Sequence, residues 1–532
     1  MITRVLRSTA LALLALVMLA PPTTASAETT LKFAFQGDAK SLDPYSLNET
    51  FTLGFLGNVY EGLTQRGPDL KIEPALATSW EVMEPTRWRF HLRKGVKFQN
   101  GDDFTADDVI FSLQRVKEKG SDLTTRVPAD MKAVKVDDYT VDFVLTKPDP
   151  TLNAEWDTWY IMDKKWCEEH NATMPTSASG QNESYATFHA NGTGPFKIVE
   201  HEPGVKSVFE VNKGWWGKPE HNLDKVVFTP ISSDATRVAA LLSGEIDMMY
   251  PVPVQDIDRV KKNAGTRVLQ GPELRTIFLG MDQKRDELLD SNVKGKNPFK
   301  DVRVRKAFYE AIDIEAIKDR IMRGLSTPSA LMISPLLFRR SDEFKRWPYD
   351  PDNAKKLLAD AGYPNGFEVG MDCPNNRYVN DERICEAVVA MLAKVGVKVN
   401  LNAQPKAQYF AKVLASGGFK TSFYLLGWTP SSFDSYNVLV NLINCRDDTG
   451  KGSPFNLGGY CNPKVDELTQ EIGSENDQTK RDELIAQAFK IIHNDVAYIP
   501  LHQQGLAWGV RDNVDLKQRA DNVFEFKWVH KH

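Results

Sequence analysis

The sequence predicts an α/β protein of two lobes, with β-rich material inserted in the first. Three observations predict it. The first half is rich in segments of period two, the signature of half-buried strands. After residue 300 helical periods alternate with short strands, as in an α/β unit with its own sheet. The chain has 532 residues, 42% hydrophobic and 26% charged, which suits two or three packed units of ordinary globular composition.

The elements follow in order. Leu31-Lys32-Phe33-Ala34-Phe35 alternates and opens the first lobe as a strand, and 37–44 breaks the pattern. Residues 47–63 read as a helix ending at Tyr60-Glu61-Gly62-Leu63. In 87–93, Trp88, Phe90 and Leu92 alternate with Arg87, Arg89, His91 and Arg93, a strand; Lys94-Gly95 turns the chain into a second short strand over 96–98. Thr105-Ala106-Asp107-Asp108 is a capping box for a helix reaching about 119, and 134–146 alternates again. The polar stretch 167–192 is a loop, 192–198 leads back into strand, and 236–243 is a helix stopped by Gly244.

Composition shifts at 271–282. Beyond it, 301–323 has a helical period closed by Gly324, 351–361 is a helix and 367–371 a strand. Helix 383–394 and strand 396–401 follow, then helices 464–472 and 478–494, strand 496–501, and a tail in which Phe524, Phe526 and Trp528 alternate.

Arg4 and Arg7 precede an apolar run at 11–20 and a small-x-small site, Ala25-Ser26-Ala27. This is the pattern of a signal peptide over 1–27, cut before Glu28, without a cysteine to carry lipid. The expected compartment is a periplasm, where paired cysteines form disulfides. Cys445 and Cys461 flank a polar loop, Cys373 and Cys385 flank Pro374-Asn375-Asn376-Arg377-Tyr378, and Cys167 is left over. Metal-ligand spacings such as Cys-x-x-Cys are missing, so neither metal nor cofactor is expected. The net charge of −5 argues against a nucleic-acid partner. The sequence has no Gly-x-Ser-x-Gly elbow, His-Glu-x-x-His pair or Walker motif, and it is read as a non-enzyme. Eleven tryptophans and fifteen tyrosines line either a cleft or a large core.

The string over 75–103, from Ala75-Leu76-Ala77 through Trp88-Arg89-Phe90 to Asn100-Gly101-Asp102-Asp103, resembles the signature of the family 5 extracytoplasmic solute-binding proteins of ABC importers. Tyr60-Glu61-Gly62-Leu63, residues 104–109 and 192–196, Asp301-Val302-Arg303-Val304-Arg305, and Tyr349-Asp350-Pro351 match further family elements in the right order. The resemblance covers essentially the whole mature chain. It implies a two-lobed periplasmic-binding-protein fold of type II, in its large three-region variant, with the ligand in an interlobe cleft and no catalytic residues. The lobes would be 28–273 plus 503–532, with an inserted β-rich region at about 64–190, and 274–502. The hinge strands would be about 271–282 and 496–505.

The same resemblance implies a monomer that captures peptides and delivers them to membrane permease subunits driven by cytoplasmic ATPases, touching the membrane only there. The alternative is the same role for an opine, a sugar or a metal chelate. It also makes Cys445–Cys461 the first choice of disulfide. Trp428, in Leu426-Gly427-Trp428, would pack on the ligand, and Arg377 would take a carboxylate by two parallel bonds. Peptide-binding relatives hold the α-ammonium with an aspartate three residues after this tryptophan, where this chain has Ser431. Asp434 either substitutes for that aspartate or caps a helix starting at Ser435, and the cap fits better. Asp43, Tyr45 and Asn48 lie in a loop that faces the cleft in the family.

Overall fold

A computed structural model describes residues 28–177 and 183–532; the expected signal peptide lies outside the described residues. Its organising feature is one eleven-stranded sheet that runs through both lobes. Thr30–Phe35 lies parallel to Lys225–Pro230 on one side and to Met248–Tyr250 on the other. Met248–Tyr250 joins the long strand Tyr498–Arg511, which runs antiparallel to the longer strand Thr266–Met281. The far half of Thr266–Met281 pairs with Phe423–Trp428, and Glu368–Pro374 and Lys398–Gln404 complete the sheet in parallel. These two long strands of 16 and 14 residues carry the sheet from lobe to lobe. Their register shifts between Pro272 and Thr276, where Pro272 has no N–H to give the ladder.

The β-rich part of the first lobe is a separate four-stranded sheet: Ala77–Glu84, Arg87–Leu92, Thr140–Val144 and Lys132–Asp137. The alternation in 87–93 is real: Trp88, Phe90 and Leu92 are buried. The hairpin partner differs from the expected one. Arg87–Leu92 pairs with the preceding strand, turning at Pro85-Thr86, and after Lys94-Gly95 only a Lys97–Asp103 bridge forms. The capping box forms as read, with the Asp108 side chain accepting from the Thr105 N–H at 2.8 Å.

Two expected helices are shorter. In 47–63 only Thr50–Leu56 is helical, because the chain after Gly57 must pass against another backbone. A Cβ on Gly192 would stand 2.1 Å from the Val59 carbonyl oxygen, so only glycine admits the approach. In 301–323 the helix Val302–Glu310 ends early; Asp313 caps a new turn by accepting from the Ala316 N–H at 2.9 Å.

The cores explain why the patterns were legible. In the first lobe Phe33 meets Phe228, Phe524 and Phe526 at centroid distances of 4.9–5.5 Å, so the tail contributes aromatic packing; its alternating residues 524–528 end in a 3₁₀ turn, Phe526–Trp528, and only His530–Lys531 beyond them forms a short strand, paired with Val514–Asp515. In the second lobe Ile277, Leu279 and Met281 pack on one face of the sheet and Phe278, Tyr424 and Leu426 on the other. Both faces are covered by helices, hence the continuous apolar runs.

Cys373–Cys385 and Cys445–Cys461 are disulfide-bonded, and Cys167 is buried and free. Burial pushes the Cys167 thiol up to about 12, which leaves little thiolate to react. Thiol titration is therefore expected to find no reactive cysteine in the native protein and one after unfolding without reductant. Each bridge closes a loop of 12 or 16 residues, worth about 3 kcal/mol by loop entropy; free thiols at 445 and 461 in a non-reducing peptide map would disprove the pairing.

His502, on the long strand beside Ile277 and Pro328, is fully buried, and neither ring nitrogen has a hydrogen-bond partner among the described residues. Burial, with Arg346 nearby, pushes it down to about 3. Between that value and the unfolded value of about 6.5 the unfolded chain holds a proton that the native one does not, so stability falls as pH drops through this window. Urea denaturation at pH 7.5, 5 and 4 should show this loss, at up to about 1.4 kcal/mol per pH unit, and a smaller one in His502→Gln. Equal pH slopes for the two proteins would refute it.

Candidate functional site

The two lobes enclose a cleft of about 2210 Å³ with the long strands at its back. That is at least twice an ordinary small-molecule pocket. The cleft's wall from the second lobe is built from two segments. Residues 375–380 form a loop after the strand Glu368–Pro374. Asp381 organises it: its Oδ2 accepts the backbone N–H groups of Arg377 and Tyr378, each at 2.9 Å. The Val379 N–H donates to Gln504 Oε1 at 3.0 Å, and Gln504 Nε2 donates to Glu273 Oε2 at 2.6 Å. The two long strands thus hold the loop through Gln504.

Arg377 stands exposed on this loop, in the cleft. Asp381 is spent on backbone, and the Arg377 guanidinium has neither an ion pair nor a hydrogen bond among the described residues. Surrounding protein and then the like charge of Arg275 lower its pKa. Arg275 is better tied: Nε donates to Thr429 Oγ1 at 3.2 Å and Nη2 lies 3.5 Å from Glu273 Oε1. Sequence reasoning found Arg377 but missed Arg275, Glu273 and Gln504. They sit together because the long strands pair, which no local motif announces.

The second wall segment follows strand Phe423–Trp428. Trp428 ends the strand opposite Thr276 and lines the cleft, its ring 4.8 Å from that of Phe455. Its Nε1–H donates to Asn437 Oδ1 at 3.0 Å, and Asn437 Nδ2 donates to Ser431 Oγ at 2.9 Å. Trp428 and Ser431 are thus held in one chain of bonds at the cleft surface. Phe433 adopts φ 55°, and its ring lies 4.0 Å beneath the guanidinium of Arg66 from the first lobe, a cation–π contact across the cleft.

Two expected ligand residues are placed elsewhere. Asp434 does not line the cleft. It caps Ser435–Val438 by accepting from the Tyr436 N–H at 2.7 Å, and Arg481 grips both its oxygens at 2.6 and 2.7 Å. A carboxylate so committed has little left for an ammonium. Tyr45 is completely buried; its hydroxyl donates to the Tyr160 carbonyl at 2.7 Å. The Arg115 guanidinium lies 5.1 Å from its ring and pairs with Asp43 at 2.5 and 2.9 Å. Asn48, from the same loop, does reach the cleft.

The first-lobe wall carries Glu61, which also went unassigned. Its oxygens accept from Trp215 Nε1 at 3.0 Å, Trp216 Nε1 at 2.7 Å and Thr193 Oγ1 at 2.7 Å, while burial raises its pKa. These three donors give the Tyr60-Glu61-Gly62-Leu63 element a structural reason.

Two α/β lobes about a wide cleft, with a long antiparallel strand pair at its back, form the fold of the type II periplasmic binding proteins. The chain belongs to the bacterial extracellular solute-binding proteins of family 5, whose model matches residues 71–450. It is 30% identical to heme-binding protein A of Haemophilus influenzae over 460 residues, 82% of this chain and 80% of that one. It is 27% identical to the glutathione-binding protein GsiB of Escherichia coli O157:H7, over 87% of this chain and 86% of that one. Among solved structures it resembles the periplasmic binding protein DppA of Helicobacter pylori in complex with the peptide STSA, with a TM-score of 0.76, 26% identity, and 94% and 98% of the two chains covered.

The Asp434–Arg481 pair generates a test. Arg481 is 4% exposed and Asp434 21%, so Arg481→Met should destabilise by about 2–4 kcal/mol through the carboxylate left behind, measured by urea denaturation. Asp434→Asn should leave ligand affinity unchanged; a large loss of affinity would return Asp434 to the binding site.

Proposed function

We propose that this protein captures short peptides in the periplasm, after cleavage before Glu28, and delivers them as a monomer to an ABC permease powered by cytoplasmic ATPases, without catalysing a reaction. The observation that carries the reading is the Arg377 guanidinium, without an ion pair among the described residues, in a wide cleft that Trp428 also lines. A guanidinium suits a peptide's terminal carboxylate, and an indole with its N–H tied to Asn437 suits an apolar side chain or peptide plane. GsiB and the H. pylori protein support the class by the ligands they are named for. Closure would pivot on the paired strands Thr266–Met281 and Tyr498–Arg511, with lobes divided at about 273 and 503.

One observation favours a second reading, a non-peptide or amine-blocked acid. Ser431 carries no charge and Asp434 is held by Arg481, so the usual position offers an α-ammonium no fixed anion, and burying an ammonium unpaired is costly.

Mass spectrometry of ligand released from gently purified protein decides between them: peptides with free amino termini support the first reading, and acids without a free amine the second. For the ligand so identified, Trp428→Ala should weaken binding by about 1–3 kcal/mol by calorimetry with the fold intact. Unchanged affinity would reduce Trp428 to core packing.

A further inference from the structure

Most of the charged groups facing the cleft are already satisfied by the protein, and Arg126 is not. It lies in the short turn Thr124–Arg126 on the first-lobe side, lines the cleft and is only 9% exposed. Among the described residues its guanidinium makes one hydrogen bond, from Nη2 to the neutral Asn48 Oδ1 at 2.8 Å. Among those residues its Nε is buried without a partner, and it forms no ion pair. No carboxylate on the same wall reaches it within ion-pair distance among the described residues. Asp157 pairs with Arg66 at 3.0 Å, and Asp122 accepts from Ser177 Oγ at 3.2 Å. Glu49 caps Thr50–Leu56, accepting from the Thr52 N–H at 2.9 Å.

A guanidinium nine-tenths buried without an anion is costly, and the cost is recovered when an anion arrives. Arg126 from the first lobe and Arg377 from the second line the same cleft, and neither guanidinium forms an ion pair among the described residues.

We propose that Arg126, oriented by Asn48, is a second anion subsite that selects ligands carrying two separated carboxylates, one for each lobe. This rests on the proposed role as a solute-binding subunit, and it narrows the substrate class to acidic peptides. A dianion spanning the lobes also favours closure, since each carboxylate is fully paired only when the lobes approach.

The test compares acids with their amides. Protein freed of co-purified ligand by unfolding and refolding is titrated calorimetrically with the tripeptides Glu-Ala-Ala, Ala-Glu-Ala and Ala-Ala-Glu, the same peptides with Gln for Glu, and the non-peptide pair glutarate and glutaramate. At least one acid should bind about tenfold or more tighter than its amide. Arg126→Gln should collapse that ratio towards one, whereas Arg377→Gln should weaken acid and amide together. If peptides fail but glutarate outbinds glutaramate in an Arg126-dependent way, the subsite stands and the peptide reading falls. If peptides bind without preference for the acid, or Arg126→Gln keeps the ratio, the peptide reading stands and the subsite is refuted. If no probe binds, both fall. Should Arg126→Gln not fold, the wild-type ratio alone decides.

Discussion

The pairing of Thr266–Met281 with Tyr498–Arg511 is the constraint on which the remaining structure depends. The two strands are more than 200 residues apart in sequence, yet their antiparallel ladder runs from Thr266 opposite Arg511 to Gly280 opposite Tyr498. The entropy of closing so long a loop grows only slowly with its length, and a ladder this long offsets it. One end of each long strand carries the sheet outward: Met248–Tyr250 pairs near the end of Tyr498–Arg511 and Phe423–Trp428 with the end of Thr266–Met281. The cleft is what remains between two lobes that share one sheet. The break in register between Pro272 and Thr276 falls in this ladder. There a bend costs few hydrogen bonds.

The same ladder places the charged groups of the cleft. Glu273 and Arg275 lie within the irregular stretch of one strand, and Gln504 of the other donates to Glu273. Gln504 accepts from the Val379 N–H, so the loop that presents Arg377 is referenced to the long strands. Elsewhere the protein satisfies its own ions: Asp43 with Arg115, Asp434 with Arg481, Asp157 with Arg66. Arg519, buried behind the cleft, pairs with both Asp521 and Glu525. Against that background an unpaired guanidinium is informative. Structural charges in a low-dielectric setting come with partners, and a cleft cation left without one is matched to something that binds.

How much of this was legible in the sequence depended on the range of the interaction. Period-two and helical patterns report on burial of a local face, so Arg87–Leu92, Ala106–Lys117 and Asp234–Ser243 could be read from neighbours alone. The helix over 47–63 was overread because its periodicity says nothing of Gly192, which requires the backbone near Val59 to leave the helix. The partner of Arg87–Leu92 was misjudged because two turns, Pro85-Thr86 and Lys94-Gly95, offered equally plausible hairpins, and pairing energy chose the longer strand.

Site residues follow the same rule more severely. Asp434 was open to two readings because a cap and an ammonium acceptor need the same group at the same place. What separates them is Arg481, 47 positions away, whose two hydrogen bonds occupy both oxygens. Tyr45 was read as cleft-facing from the position of its loop, but Arg115 draws Asp43, and Tyr45 with it, into the core, while Asn48 three residues later emerges on the cleft. Arg126 carries no local signal at all: a single arginine in a polar turn is usually a surface residue. Its meaning arises only when its burial, the neutrality of Asn48 and the lack of an ion pair among the described residues are seen together. Specificity in this cleft is thus a property of which charges the fold leaves unanswered, and that is settled by long-range pairing after the local elements are in place.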